Sequence, residues 1–193
     1  MKSIITLTLL LITSASMAAN IEEPDWQLIG NLEGVELRQY APSIQAQTSL
    51  KGSGETSAGF RRLAGFIFGG NDQKQQIAMT APVAETLGNA SPVMAFTMPS
   101  AYDVKDLPLP NDNSVSVVEV PERKLAVISF SGWATKAKIE RKSRELLAIL
   151  ERQGIEVIGG PSLHQYNPPW TPPFMRRNEI VVEFAGTDEL ASR

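Results

Sequence analysis

The sequence predicts an α+β domain: a distorted eight-stranded antiparallel β-barrel or curved sheet with two flanking helices. Eight runs are rich in β-branched and aromatic residues, and two longer stretches have helical periodicity. The order strand, strand, helix, strand, strand occurs twice, at about 35–98 and again at about 114–184. This recurrence predicts two ββαββ repeats, an internal duplication whose halves pair their strands in one sheet with the helices outside.

The first eighteen residues have the pattern of a signal peptide. Lys2 gives a positive start, an apolar run covers residues 4–12, and Ser16-Met17-Ala18 is the predicted cleavage triplet. A bilayer span needs about 20 apolar residues, roughly twice the length of this run. We therefore expect 1–18 to be removed, leaving an exported single domain at 19–193, periplasmic and without stable membrane insertion.

Composition excludes several kinds of chemistry. The chain has no cysteine, which rules out thiol catalysis, cysteine-ligated zinc and thioether attachment of haem. Its formal net charge is -3, whereas a nucleic-acid partner favours a basic surface that replaces phosphate counterions. We expect no nucleic-acid partner.

The first predicted helix lies within residues 55–71. Its apolar side chains recur at i, i+3, i+4 and i+7, which places them on one face: Phe60, Leu63, Ala64 and Ile67. Thr56 or Ser57 is the expected N-cap, and Gly69-Gly70 is the expected end.

The second predicted helix lies within residues 134–154. One face is apolar, comprising Ile139, Leu146, Leu147 and Leu150, and lysines and arginines cover the other. Thr135 is the expected N-cap and Gly154 the expected C-terminal stop.

Eight strands are predicted around these helices. They are VELRQY (35–40), SIQAQTSL (43–50), IAMTAPV (77–83), VMAFTMP (93–99), SVSVVEV (114–120), LAVISFSG (125–132), IEVIGG (155–160) and EIVVEF (179–184).

No catalytic motif is present in the sequence. GETSAG (54–59) has its serine one place too late for a nucleophile elbow, and no phosphate-binding loop occurs. His164 is the one histidine, and nothing in the sequence identifies partners for it in a catalytic triad. The sequence therefore predicts a binding protein and not an enzyme.

The stretch HQYNPPWTPPFMRRNEI (164–180) has an unusual composition. Four prolines flank Trp170 and restrict the backbone, so the aromatic side chains have little entropy left to lose when a flat apolar ligand stacks on them. Two structural alternatives stay open. In the first, the side chains that plug one end of the barrel are Tyr166, Trp170 and Phe174. In the second, an ion-pair cluster that fixes the loop to the last strand is formed by Arg176, Arg177 and Glu179.

Several motifs resemble the SOUL haem-binding family in order and spacing. They are VELRQY (35–40), GFIFGGNDQKQQIAMTAPV (65–83), MAFTMPSAY (94–102), LPLPNDNSV (107–115) and YNPPWTPPFMRRNEI (166–180). The resemblance covers about Trp26 to Phe184. It implies a distorted eight-stranded barrel built from two similar halves, in agreement with the predicted duplication.

The resemblance also implies a ligand and a site. The ligand is haem or another tetrapyrrole, held without a covalent bond between the first helix (57–68) and the loop 167–177. The implied ligand contacts are Phe60, Leu63, Ile67, Trp170, Phe174, Met175, Arg176 and Arg177. A guanidinium suits a propionate carboxylate because it bonds two oxygens at once. His164 does not match the histidine proposed as an iron ligand in the family. It is nevertheless the first candidate for an iron ligand here, ahead of Met79 and Met98, which are expected to fill gaps in the core.

The sequence leaves three functional hypotheses. The leading hypothesis is an exported tetrapyrrole carrier or buffer without catalysis. The alternative is a general small-molecule or partner-binding module with no physiological role in haem. An enzyme acting on a tetrapyrrole comes third, because no set of catalytic residues supports it.

Overall fold

A computed structural model describes residues 21–52, 55–88 and 92–185. It contains one nine-stranded antiparallel sheet, curled into a half-barrel, and two helices. The strands are β1 (Trp26–Leu32), β2 (Val35–Tyr40), β3 (Ser43–Ser49), β4 (Val83–Thr86), β5 (Val93–Thr97), β6 (Val115–Val120), β7 (Arg123–Phe130), β8 (Val157–Gln165) and β9 (Asn178–Phe184). The helices are α1 (Thr56–Ile67) and α2 (Lys136–Arg152). The predicted signal peptide, 1–18, lies outside the described residues.

The α+β class is confirmed, but the predicted count of eight strands is wrong. The additional strand is β1, which forms a hairpin with β2 and lies at one edge of the sheet. Its tight turn uses Glu33 and Gly34, both with positive φ (52° and 85°), as a two-residue hairpin turn requires.

The strand predicted at 77–83 is also misplaced, because β4 begins only at Val83. The preceding segment is held by other backbone partners. Ile77 N donates to Ile67 O at the end of α1 (2.8 Å), and Ala81 N donates to Glu22 O (2.8 Å). The apolar segment 77–82 thus lies in the core, although its backbone is not part of the hydrogen-bond ladder between two strands.

The two helices differ in how they begin. Thr135 caps α2 as predicted, its Oγ1 accepting from Lys138 N (3.4 Å). The predicted Thr56 or Ser57 cap of α1 is wrong: Glu55 is the N-cap residue and makes no side-chain cap bond. The Thr56 hydroxyl instead donates to Glu85 Oε2 (3.1 Å) on β4.

The helices end as predicted, since Gly69 (φ 99°) and Gly154 (φ 67°) both adopt the left-handed conformation that stops a helix.

Each helix covers its own part of the sheet. Helix α1 packs on β3, β5 and β6, with Leu63, Phe66 and Ile67 against Met94 and Phe96. Helix α2 packs on β7, β8 and β9. Its core cluster includes Leu146, Ile149 and Leu150 with Val35, Leu37, Ala126, Ile128, Leu163, Ile180 and Val182. Because strand side chains alternate, the next residues along these strands point away from both helices. We call that side the inner face.

The strand order is β1-β2-β7-β9-β8-β4-β5-β3-β6. From β2 onward this order has an internal symmetry. If each strand of β2–β5 is exchanged with the corresponding strand of β6–β9, the result is the same order read backwards. The centre of the list is the antiparallel pair β4–β8. The superposition of the two halves stays a prediction.

Candidate ligand-binding site

The proline-rich loop joins β8 to β9 and is closed at its base by backbone bonds. Tyr166 N donates to Arg177 O (3.2 Å), and Thr171 N donates to Pro168 O (3.0 Å). Asn167 Oδ1 accepts from Arg177 N (2.6 Å). A 3-10 turn at Pro173–Met175 completes the loop. These contacts, together with four prolines, hold the loop in one conformation.

Three apolar side chains of this loop point into solvent. Trp170 is 83 % exposed, Phe174 79 % and Met175 62 %. Trp170 and Phe174 therefore do not plug the barrel, and that alternative is wrong for both. Tyr166 alone of the three proposed plug residues is buried.

Arg176 ties the loop to a residue that the sequence analysis missed. Its guanidinium carbon lies 3.9 Å from the ring centroid of Trp133, in the connection between β7 and α2. Arg176 Nε donates to Thr171 O (2.8 Å), and its Nη2 donates to Pro169 O. Gly132 N donates to Pro173 O (2.8 Å) beside this stack. Trp133 is 57 % exposed and extends the apolar surface of the loop.

Arg177 is engaged differently. Its guanidinium lies over the Tyr166 ring, 3.5 Å from the centroid, and forms an ion pair with Glu23. Glu179 bonds to neither arginine of the loop. The predicted cluster of Arg176, Arg177 and Glu179 is therefore wrong.

Glu179 belongs to a buried network on the inner face. Its Oε2 accepts from Tyr166 Oη (2.6 Å) and from Arg38 Nη1 (3.1 Å), and its Oε1 accepts from Arg38 Nη2 (3.2 Å). Arg38 Nη1 also lies 3.1 Å from Tyr40 Oη. Burial and the Glu179 carboxylate raise the pKa of Tyr166, which stays protonated. Burial alone would lower the pKa of Arg38, but its bonds to Glu179 raise it on balance.

The predicted contacts on α1 have unequal access to a ligand. Leu63 and Ile67 are buried in the core, whereas Phe60 is 41 % exposed and makes an edge contact with Phe96 (5.4 Å between centroids). The bonds and ring contacts described above link the loop to the β7–α2 connection and to Glu23, not to α1. A ligand role for Phe60, Leu63 and Ile67 stays a prediction.

His164 lies on β8 and is buried on the inner face. Ser162 Oγ and His164 Nε2 are joined by a hydrogen bond (3.1 Å), and Ser162 Oγ also lies 3.4 Å from Val181 O. The other ring nitrogen, Nδ1, has no partner among the described residues. Burial, followed by the charges of Arg123 and Arg38, lowers the pKa of His164 to about 3. The ring is neutral at physiological pH.

The space beside His164 is too small for a tetrapyrrole. The cavity beside His164 measures about 20 Å³, the space of one water molecule. A porphyrin needs several hundred Å³, so its iron cannot reach this ring in the observed fold. Within the part of the chain that the structure describes, no group of three or more His, Asp or Glu side chains is placed to hold a metal ion. The loop, in contrast, exposes apolar side chains beside the Arg176 guanidinium.

A second concavity begins at Glu23, the ion-pair partner of Arg177. It is a groove of about 660 Å³ between residues 22–25, 41–44, 97–104 and 119–121. Five carboxylates line it: Glu22, Glu23, Asp25, Asp103 and Glu119. Apolar contacts come from Ile44, Met98 and Tyr102. This combination suits a ligand that is apolar and positively charged.

Comparison with solved structures identifies the fold. The C-terminal domain of EcmrR superposes with a TM-score of 0.62 at 10% identity, covering 84% of this chain and 99% of that one. A hydrolase from Listeria innocua gives a TM-score of 0.56 at 10% identity, covering 81% and 94%. At such low identity these similarities concern the fold alone.

Sequence relatives and a family model place the chain more narrowly. Heme-binding protein 2 of Homo sapiens is 28% identical over 151 residues, covering 71% of this chain and 73% of the relative. Heme-binding protein 1 of Xenopus laevis is 27% identical over 183 residues, covering 86% and 93%. The family model "SOUL heme-binding protein" matches residues 21–183. The chain belongs to the SOUL haem-binding protein family.

Proposed function

We propose that this protein is an exported, periplasmic tetrapyrrole-binding protein that carries or buffers its ligand without catalysis. The single observation that carries the proposal is the rigid loop that exposes Trp170, Phe174 and Met175 beside Trp133. Membership of the SOUL family supports a tetrapyrrole as the ligand. The apolar run at 4–12 and the triplet Ser16-Met17-Ala18 support export.

Trp133 and the residues of the loop have different roles in the proposed binding. Trp133, Trp170 and Phe174 offer flat apolar surface to a macrocycle, and Met175 adapts to its edge. Arg176 already bonds two carbonyls of the loop, which uses two of the five N–H groups of a guanidinium. The remaining N–H groups suit a ligand carboxylate. Arg177 is the less available cation because it is paired with Glu23.

A titration of the Soret band and of tryptophan fluorescence tests the proposal. Haem and metal-free protoporphyrin should both give saturable changes with the wild-type chain, since apolar stacking needs no iron ligand. Trp170→Ala should weaken binding roughly 5- to 150-fold, because an aromatic contact contributes about 1–3 kcal/mol. Its melting temperature should barely change, since the side chain is exposed.

Ile158→Ala is the matched control, because Ile158 is an exposed apolar residue at the opposite end of β8. Binding by this variant should equal that of the wild type. A large loss of stability in Trp170→Ala with unchanged affinity of the folded fraction would refute the proposal that the loop binds the ligand.

The alternative function, a general small-molecule module, is favoured by the carboxylate-lined groove. A porphyrin with propionates is repelled there, whereas an organic cation is attracted. The alternative predicts no saturable change with tetrapyrroles and saturable binding of a cationic dye such as ethidium. Asp25→Asn combined with Glu119→Gln should then abolish dye binding, with Trp170→Ala leaving it unchanged.

A further inference from the structure

Four exposed apolar side chains form one surface at the end of the molecule where β7 ends and β9 begins. We call Trp133, Trp170, Phe174 and Met175 the aromatic tip. Each is more than half exposed. The Gly132–Pro173 backbone bond and the stack of Arg176 on Trp133 hold the two segments of the tip together.

The charge around the aromatic tip is opposite to that of the whole chain. Residues 131–139 and 166–177 contain four cations and no aspartate or glutamate, although the chain carries a net charge of -3. The cations are Lys136, Lys138, Arg176 and Arg177. Lys136 is exposed at the start of α2. Among the described residues two carboxylates bond to this region: Glu23 pairs with Arg177, and the buried Glu179 accepts from Tyr166 Oη.

We propose that the aromatic tip docks this protein on an anionic phospholipid surface. Tryptophan and other amphipathic aromatic side chains are stable at the level of the lipid headgroups, where one end of the ring is apolar and the other is wet. Lysine and arginine beside them are attracted by anionic lipid, at about 1 kcal/mol each. The prolines hold these side chains outward in advance, so insertion costs little ordering entropy.

Charge distinguishes a lipid surface from a second copy of the chain. Two tips facing each other would bring Lys136 and Arg176 of each copy against like charges, which opposes self-association. A lipid surface supplies the complementary charge. Docking of this kind is peripheral: no helix within 21–52, 55–88 or 92–185 has the length and apolarity needed to cross a bilayer. The proposal does not depend on tetrapyrrole binding.

The cysteine-free chain permits a local measurement. Phe174→Cys, labelled with an environment-sensitive fluorophore in the full-length protein, is mixed with phosphatidylcholine vesicles with and without phosphatidylglycerol and without porphyrin. The label should shift to the blue and become shielded from an aqueous quencher in the anionic vesicles, and the shift should fade in high salt. Ile158→Cys carries the control label, which should not respond. A local label is required because the apolar run at 4–12 can itself retain the chain on vesicles.

Variants test the two parts of the surface. In the labelled chain, Trp133→Ser with Trp170→Ser should abolish the shift. Lys136→Glu should weaken the response at least about five-fold, and Lys51→Glu, an equal charge change before α1, should not. The proposal is overturned by an unresponsive label at 174, by equal shifts in neutral vesicles, or by an equal response at 158. A concentration-dependent shift without vesicles would assign the tip to self-association and also overturn it.

Discussion

His164 shows how its surroundings decide what a single residue can do. The sequence indicates it as the first candidate for an iron ligand, but the fold places it on the inner face of the sheet beside Arg38 and Arg123. Its Nε2 is hydrogen-bonded to Ser162 Oγ, and the cavity beside the ring holds about one water molecule. The sequence could not reveal this, because the two arginines are brought to His164 by β2 and β7, far away along the chain.

The neutral state of His164 predicts a pH dependence of stability. The unfolded chain protonates this ring near pH 6.5, whereas the folded chain does so only near pH 3. The unfolded state therefore binds the extra proton between these values, and stability falls as pH falls, by up to about 1.4 kcal/mol per pH unit. Urea unfolding of wild type and His164→Gln between pH 5 and 7 should show this slope in the wild type alone. Equal slopes would mean that His164 is protonated in the folded protein.

Helix α1 shows what an element requires beyond helical periodicity. Its apolar stripe was predictable, and Leu63 and Ile67 are in the core as that stripe indicates. Two glycines of the same helix differ in their surroundings. A Cβ on Gly59 would lie 2.4 Å from Leu50 Cδ2 and 3.4 Å from Met94 Sδ, whereas a Cβ on Gly65 would meet nothing within 4 Å. Gly59 thus allows α1 to approach β3 and β5 closely.

We expect Gly59→Ala and Gly65→Ala to change stability in opposite directions. Alanine favours a helix by about 1 kcal/mol over glycine, so Gly65→Ala should stabilise the protein by roughly that amount. Gly59→Ala should destabilise it by about 1–2 kcal/mol, because the overpacking of Leu50 exceeds the gain in helix propensity. Chemical denaturation of both variants measures the difference. Stabilisation by Gly59→Ala would show that Leu50 moves aside at little cost.

There are specific physical reasons why some elements could not be predicted from the sequence. Strand β1 is at the sheet edge and exposed over most of its length, so its burial does not alternate. The segment 77–82 is apolar because the core needs it, yet its backbone bonds go to α1 and Glu22. Trp133 lies about forty residues before the loop that it joins, and no local pattern links the two. The proline-rich loop itself was predictable, since its composition restricts its conformation.

At the scale of the whole molecule, the strand order from β2 onward reads the same in both directions once β2–β5 and β6–β9 are exchanged. The antiparallel pair β4–β8 at the centre is compatible with a two-fold axis perpendicular to the sheet, because antiparallel neighbours are related in that way.

We predict that the two halves, about 35–98 and about 114–184, superpose as repeats about such an axis, with α1 falling on α2. Coordinates from crystallography allow the test, in which Cα atoms of one half are rotated onto the other. Helices that fail to exchange places under the rotation that exchanges the strands would contradict the duplication.

The positions of β2 and β6 in the sheet affect how the chain folds during its synthesis. Strand β2 pairs with β7 of the later half, and β6 pairs with β3 of the earlier half, so neither half holds all of its own strands. Tyr40 faces Arg123, 83 residues further along the chain. Pairings so distant must await most of synthesis, and they fold slowly because a long loop has to close first. A nascent chain that has reached only β5 leaves β2 and β3 each with one open edge, the state in which strands of neighbouring chains associate most readily.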